Sequence, residues 1–111
     1  MSSADELPAA GPVRVVVDPD LAPIVPEMMD NLFGDLRSCV ESLDQGQLDR
    51  CETVGHQMKG GGAAYGFDFV SELGAELERA SREGDARRAR LLVTRVKNLL
   101  ERVEVVEGEP E

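Results

Sequence analysis

Gly55-His56-Gln57-Met58-Lys59-Gly60-Gly61-Gly62-Ala63-Ala64-Tyr65-Gly66 holds the only histidine of the chain and three consecutive glycines. Leu48, Cys51, Gly55, Met58, Gly62 and Tyr65 recur through it in steps of three and four, the spacing of a buried helical stripe. A helix is therefore expected over about 47–64. A glycine inside a helix costs roughly 1 kcal/mol relative to alanine. Gly60, Gly61 and Gly62 together cost about 3 kcal/mol, a large part of a net stability of roughly 5–15 kcal/mol. Something must offset them. At about 100° per residue, His56 falls on the flank or outward face of the stripe. Lys59 is its neighbour one turn on. Gly60 and Ala63 leave the surface beside the imidazole almost bare. A bulky group, or another protein's active site, can then come close to the ring, with an ammonium beside any anion the ring carries.

Upstream, Asp18-Pro19 reads as a cap and first helical position. Pro23 and Pro26 are too close for one uninterrupted helix, so a short turn near 19–24 and a main helix from Pro23 or Pro26 are expected. Val25, Met29, Leu32, Leu36, Cys39 and Leu43 line one face of it, Met28, Phe33 and Val40 form a second apolar strip, and Gln45-Gly46 ends it. Downstream, Val70, Leu73, Gly74, Leu77 and Ala80 face inward on a helix over about 67–82, and Gly84-Asp85 is a stop followed by a cap. The last helix is expected over about 86–106, with Ala89, Leu92, Val96, Leu99, Val103 and Val106 inward. Its outward arginines and Lys97 read as a solvated face paired with acidic side chains at i±4. Val13-Arg14-Val15-Val16-Val17 is β-branched but has no second strand in view, so it is expected as an extended segment lying on the helices. Short loops then give an all-α, antiparallel up-down-up-down four-helix bundle with a short N-terminal extended or helical segment. Residues 1–17 form a flexible or extended tail, 18–106 the domain and 107–111 a frayed end.

The 111 residues suffice for one domain with one modest core. With three phenylalanines, one tyrosine and no tryptophan, that core is aliphatic. A net charge of −10, from 22 acidic and 12 basic residues, argues against nucleic acid, which calls for a basic footprint. The acidity is either a solvated surface or a means of selecting a basic docking face. No apolar run approaches ~18 residues, so no membrane span is expected. Residues 1–12 lack a basic and an apolar signal region, and a cytoplasmic, reduced setting follows as the default. Cys39 and Cys51 lie on buried stripes and read as small core residues. One histidine and these two cysteines do not supply a zinc set. The glycine run follows its lysine and lacks a Gly-Lys-Ser/Thr ending, which argues against a nucleotide loop.

His56-x-x-Lys59-Gly60, followed by small residues and closed by Tyr65-Gly66, resembles the signature of histidine-containing phosphotransfer (HPt) domains. The resemblance covers about residues 18–106, with Gly61-Gly62 departing from the serine or alanine common there. It implies that His56 accepts a phosphoryl group, that Lys59 helps to hold it and that Gly60 keeps the approach clear. It also implies docking of receiver domains on the first two helices, and Gln57, Gly60, Ala63 and Phe33 are the expected docking residues. The partners would be response-regulator receiver domains and a hybrid sensor histidine kinase, with Mg²⁺ supplied by the receiver and no cofactor of the chain's own. The module would be a carrier without an ATP site rather than an enzyme. The competing reading is a helical interaction module or scaffold whose histidine is never phosphorylated. A hydrolase with His56 as general base would need a nucleophile or metal that the chain does not offer.

Overall fold

The structure, a computed structural model, describes residues 4–108. The chain enters its helices through a turn built on Asp18. The Asp18 carboxylate accepts from the Asp20 amide at 2.8 Å, and its carbonyl accepts from the amides of Leu21 and Ala22. A single 3₁₀ turn, Ala22–Ile24, leads into α1, Val25–Asp44. Pro26 sits in the first turn of α1, where its missing N–H is no loss. α2 spans Asp49–Gly61 and tightens into a 3₁₀ turn, Gly62–Tyr65. α3 spans Asp68–Arg82 and α4 spans Ala86–Glu101. Gly66, at φ +85°, closes the 3₁₀ turn in a left-handed conformation that other residues rarely adopt. Asp85 caps α4 by accepting from the Arg88 amide at 3.0 Å.

The protein is mostly helical, and its four helices pack in sequence, with α4 returning to α1. The inward stripes of α3 and α4 are buried as their spacing predicts, and so is that of α1 except for Met29, which is half-buried. Val54, Phe67, Phe69, Val93 and Leu100 complete the core. The most intimate contact is α2 on α3, and glycine makes it possible. A Cβ on Gly74 would stand 2.5 Å from the Met58 Cβ and 2.7 Å from the Lys59 nitrogen. One on Gly62 would stand 2.7 Å from the Ser71 nitrogen. Close backbone approach therefore offsets the helical cost of Gly62. It does not account for Gly60 and Gly61, where a Cβ would meet nothing within 4 Å.

Four expectations need correction. Val13–Val17 is not partnerless: it forms β1, paired in parallel with β2, Val103–Glu107, in the register Val13↔Val103 to Val17↔Glu107. The last helix accordingly stops at Glu101 and not near 106. Val103 and Val106 continue the helical spacing of α4, but β-branched side chains lose rotamer freedom in a helix and fit a pleated pair better. Residues 4–12 are tied down rather than loose. Ala4 donates its N–H to Glu72 Oε2 at 2.7 Å and accepts at its carbonyl from Arg95, while Arg102 donates to the carbonyls of Pro8 and Gly11. The readings of 1–3 and of 109–111 lie outside the described residues. The arginines of α4 are not paired at i±4. Arg88 reaches Glu76 of α3 at 2.7 Å, and Arg90 reaches Asp44 of α1 at 2.9 Å.

Cys39 and Cys51 are fully buried and free, with the Cys51 thiol 3.7 Å from the Cys39 carbonyl oxygen across the α1–α2 contact. Burial pushes the Cys39 thiol up to about 12 and raises Cys51 as well. Thiolate is the reactive form. An aromatic disulfide reagent is therefore expected to modify the two cysteines only as fast as the bundle opens. Rapid modification in native buffer would contradict their placement.

Candidate functional site

The Gly55–Gly74 crossing also builds the site. A Cβ on Gly55 would stand 2.6 Å from the Glu78 nitrogen, so the backbone of α3 passes directly beside the residue that precedes His56. Glu78, one turn after Gly74, is thereby set at the foot of the imidazole. Its Oε2 lies 2.8 Å from His56 Nδ1, and its Oε1 accepts from Lys59 Nζ at 2.9 Å. Arg82 donates from Nη2 to the same Oε2 at 3.1 Å and from Nε to Glu52 Oε2 at 2.9 Å. The Glu78 side chain is 5% exposed, whereas the His56 side chain is 68% exposed. A buried carboxylate thus anchors a ring that stands in solvent.

That anchor sets the tautomer. Lys59, then His56, hold the Glu78 carboxyl below the usual carboxylate range by hydrogen bonding, with Arg82 adding a smaller effect. An ionised carboxylate only accepts, so the 2.8 Å contact assigns a hydrogen to Nδ1. In the neutral ring Nε2 then carries the free lone pair, directed away from the partner that holds Nδ1. Lys59 is half exposed, and only one of its donors is committed to Glu78.

The lowered value also fixes a pH dependence. Glu78 contributes stability that is fully present above the unfolded glutamate value and is lost as pH falls through its lower folded value. The stability gap between the wild type and Glu78→Gln in urea unfolding is expected to be widest near neutrality and to shrink in acid. A gap that stays constant into acid would show that the charge is not what matters.

Of the other expected residues, Gly60, on the ring's own helix, and Ala63, in the 3₁₀ turn that follows it, are exposed. The Ala63 amide is held by Ser71 Oγ at 2.7 Å. Gln57 and Gly61 border a largely apolar groove of about 380 Å³ between α1 and α2, with Met28, Met58 and Tyr65. Phe33 is not brought to this groove. With Val40 it lines a separate one of about 270 Å³ between α1 and α4, beside Val93 and Lys97. The second apolar strip of α1 therefore divides, with Met28 on the α2 side and Phe33 and Val40 on the α4 side.

Glu78, Arg82 and Glu52 are site residues that the sequence reading missed. A signal existed for Glu78. It lies four residues after Gly74 and three before Ser81, on the buried stripe of α3, where an unpaired charge is costly. Among the described residues, no group of three or more histidine, cysteine, aspartate or glutamate side chains is placed to hold a metal ion, and no helix is long and apolar enough to cross a membrane. A family model described as Hpt domain matches residues 25–105. Comparison with curated proteins and with solved structures returns no match.

Proposed function

The chain belongs to the Hpt domain family, and from that membership we propose that it relays phosphoryl groups between the aspartates of receiver domains in a multistep two-component pathway. The observation that carries this reading is the contact between His56 Nδ1 and buried Glu78, beneath a ring that is open to solvent. His56 Nε2 attacks the phosphorus of a receiver's aspartyl phosphate. The N–P bond forms, the P–O bond to the aspartate breaks, and the aspartate leaves as a carboxylate. The proton on Nδ1 stays, so the ring gains positive charge, which the Glu78 carboxylate stabilises. The reverse steps deliver the group to a second receiver. A loose transition state asks mainly for in-line placement and charge neutralisation. The receiver brings Mg²⁺ and its own cation, and Lys59 offers its remaining donors to the phosphoryl oxygens.

The receiver docks over Gln57, Gly60 and Ala63 and the adjoining α1–α2 groove. Gly60 and Gly61 carry no packing duty, which fits residues kept small for an incoming partner. An up-down-up-down course of the helices, a cytoplasmic setting and the lack of an ATP site belong to the same reading. The test is incubation with a phosphorylated receiver domain. Label is expected to move to the chain in an acid-labile, base-stable form. No transfer from a panel of phosphorylated receivers would overturn the proposal. Lys59→Ala is expected to slow transfer or shorten the life of the phosphohistidine without abolishing acceptance. An unchanged rate and lifetime would confine Lys59 to neutralising Glu78.

A further inference from the structure

The four exposed large apolar side chains among the described residues include Val16 and Val105, and both lie on the two-stranded sheet. Parallel strands are ordinarily covered on both faces, and two strands alone are marginal. β1 is enclosed. Val13, Val15 and Val17 are 4% exposed or less, and Gly66 closes against it so tightly that a Cβ there would stand 2.5 Å from the Val16 oxygen. β2 is not enclosed: Val105 is 40% exposed, and Glu104 and Glu107 are exposed.

The bonds at the two ends of the pair show which backbone groups of β2 are used. Val13 donates to the Arg102 carbonyl at 2.8 Å, and Gly108 donates to the Val17 carbonyl at 3.0 Å. Alternate residues face the partner in a parallel ladder, so Arg102, Glu104, Val106 and Gly108 bond to β1. The amides and carbonyls of Val103, Val105 and Glu107 therefore point to the outer edge. An unpaired row of this kind is a template for another strand.

We propose that the outer edge of β2 is a docking edge that takes a basic, extended segment of another protein as a third strand. The charge selects the occupant. Glu104 and Glu107 flank the open groups, and neither takes part in an ion pair among the described residues. A second copy would bring the same glutamates and a further net charge of −10, and like charges across a strand pair are destabilising. Glu104 and Glu107 lie on opposite faces of the sheet, so a segment with lysine or arginine three positions apart, one on each face, meets both favourably. Main-chain bonds supply the affinity, Val105 supplies apolar contact, and the glutamates supply the selection. The proposal is independent of His56.

The test is titration of the ¹⁵N-labelled full chain with a short valine- and threonine-rich peptide that carries two lysines three positions apart, one on each face of the strand. The same peptide with glutamate for lysine, and the lysine peptide N-methylated at every second residue, serve as controls. The lysine peptide is expected to slow amide exchange at Val103, Val105 and Glu107 by about tenfold or more, and the controls to leave these amides unchanged. Val105→Pro removes one outward amide and no bond to β1, and should abolish the protection. If that variant disturbs the sheet, Glu104→Gln/Glu107→Gln keeps the strand and should weaken the lysine peptide selectively. The proposal is overturned if excess lysine peptide leaves the three amides unchanged, or if its shifts map to the helices. It is also overturned if the chain alone has twice its monomer mass with these amides already protected, because a second copy would then cover the edge.

Discussion

His56→Gln is expected to accept no phosphoryl group from a phosphorylated receiver while folding as the wild type does. Removing a covalent nucleophile costs on the order of 10⁶ in rate where it has been dissected, which reads as background in a transfer assay. Glutamine is a good helix former and its amide can still donate to Glu78, so α2 and its contact with α3 are retained. Circular dichroism and the melting temperature should therefore match the wild type. Label appearing on the glutamine variant would place the nucleophile elsewhere, and the role given to Glu78 as the anchor of a reactive ring would fall with it.

Gly74→Ala is expected to destabilise the domain by about 3 kcal/mol or more, the upper end of the range for overpacking. The added methyl would stand 2.5 Å from the Met58 Cβ, 2.7 Å from the Lys59 nitrogen and 2.8 Å from the Gly55 oxygen. Two of those atoms are backbone and cannot turn aside, so α2 and α3 must separate. Glu78 is one turn along α3, so transfer should fail together with stability. Gly60 behaves in the opposite way. Its missing Cβ would meet nothing, so Gly60→Ala should gain up to roughly 1 kcal/mol of helix stability. Gly60→Leu should leave the fold intact and block transfer. Denaturant unfolding and transfer rates on the three variants separate the two kinds of glycine. A tolerated Gly74→Ala beside a destabilised Gly60→Ala would reverse the assignment.

The contrast between these glycines shows where the sequence could be read and where it could not. Gly55 and Gly62 fall on the helical stripe of Cys51 and Met58, so their burial follows from spacing alone. The close crossing that needs them also depends on Gly74 of α3, and pairing between helices leaves no trace in a one-dimensional period. The same limit hid Glu78. Its position on the stripe of α3 is visible, but His56 and Lys59, the donors that make a buried carboxylate tolerable, are 22 and 19 residues away. The strands failed for a different reason. Val103 and Val106 continue the three-and-four steps of Leu92, Val96 and Leu99, and periodicity cannot separate a last helical turn from a strand when the same valines suit both. Only the match between two β-branched runs at opposite ends of the chain distinguishes them. Phe33 illustrates the converse. Phe33 and Met28 are both apolar and off the main stripe, yet five residues turn a helix by about 140°, which carries the two side chains into different grooves.

The central claim is that Glu78 holds Nδ1 and so dedicates Nε2 of His56 to phosphorus. It is tested most directly by ¹⁵N and ³¹P NMR of the chain labelled in its single histidine, after transfer from a phosphorylated receiver. The account requires one phosphohistidine, bonded through Nε2, with a hydrogen retained on Nδ1. Phosphorus on Nδ1, or on any residue other than His56, would contradict it.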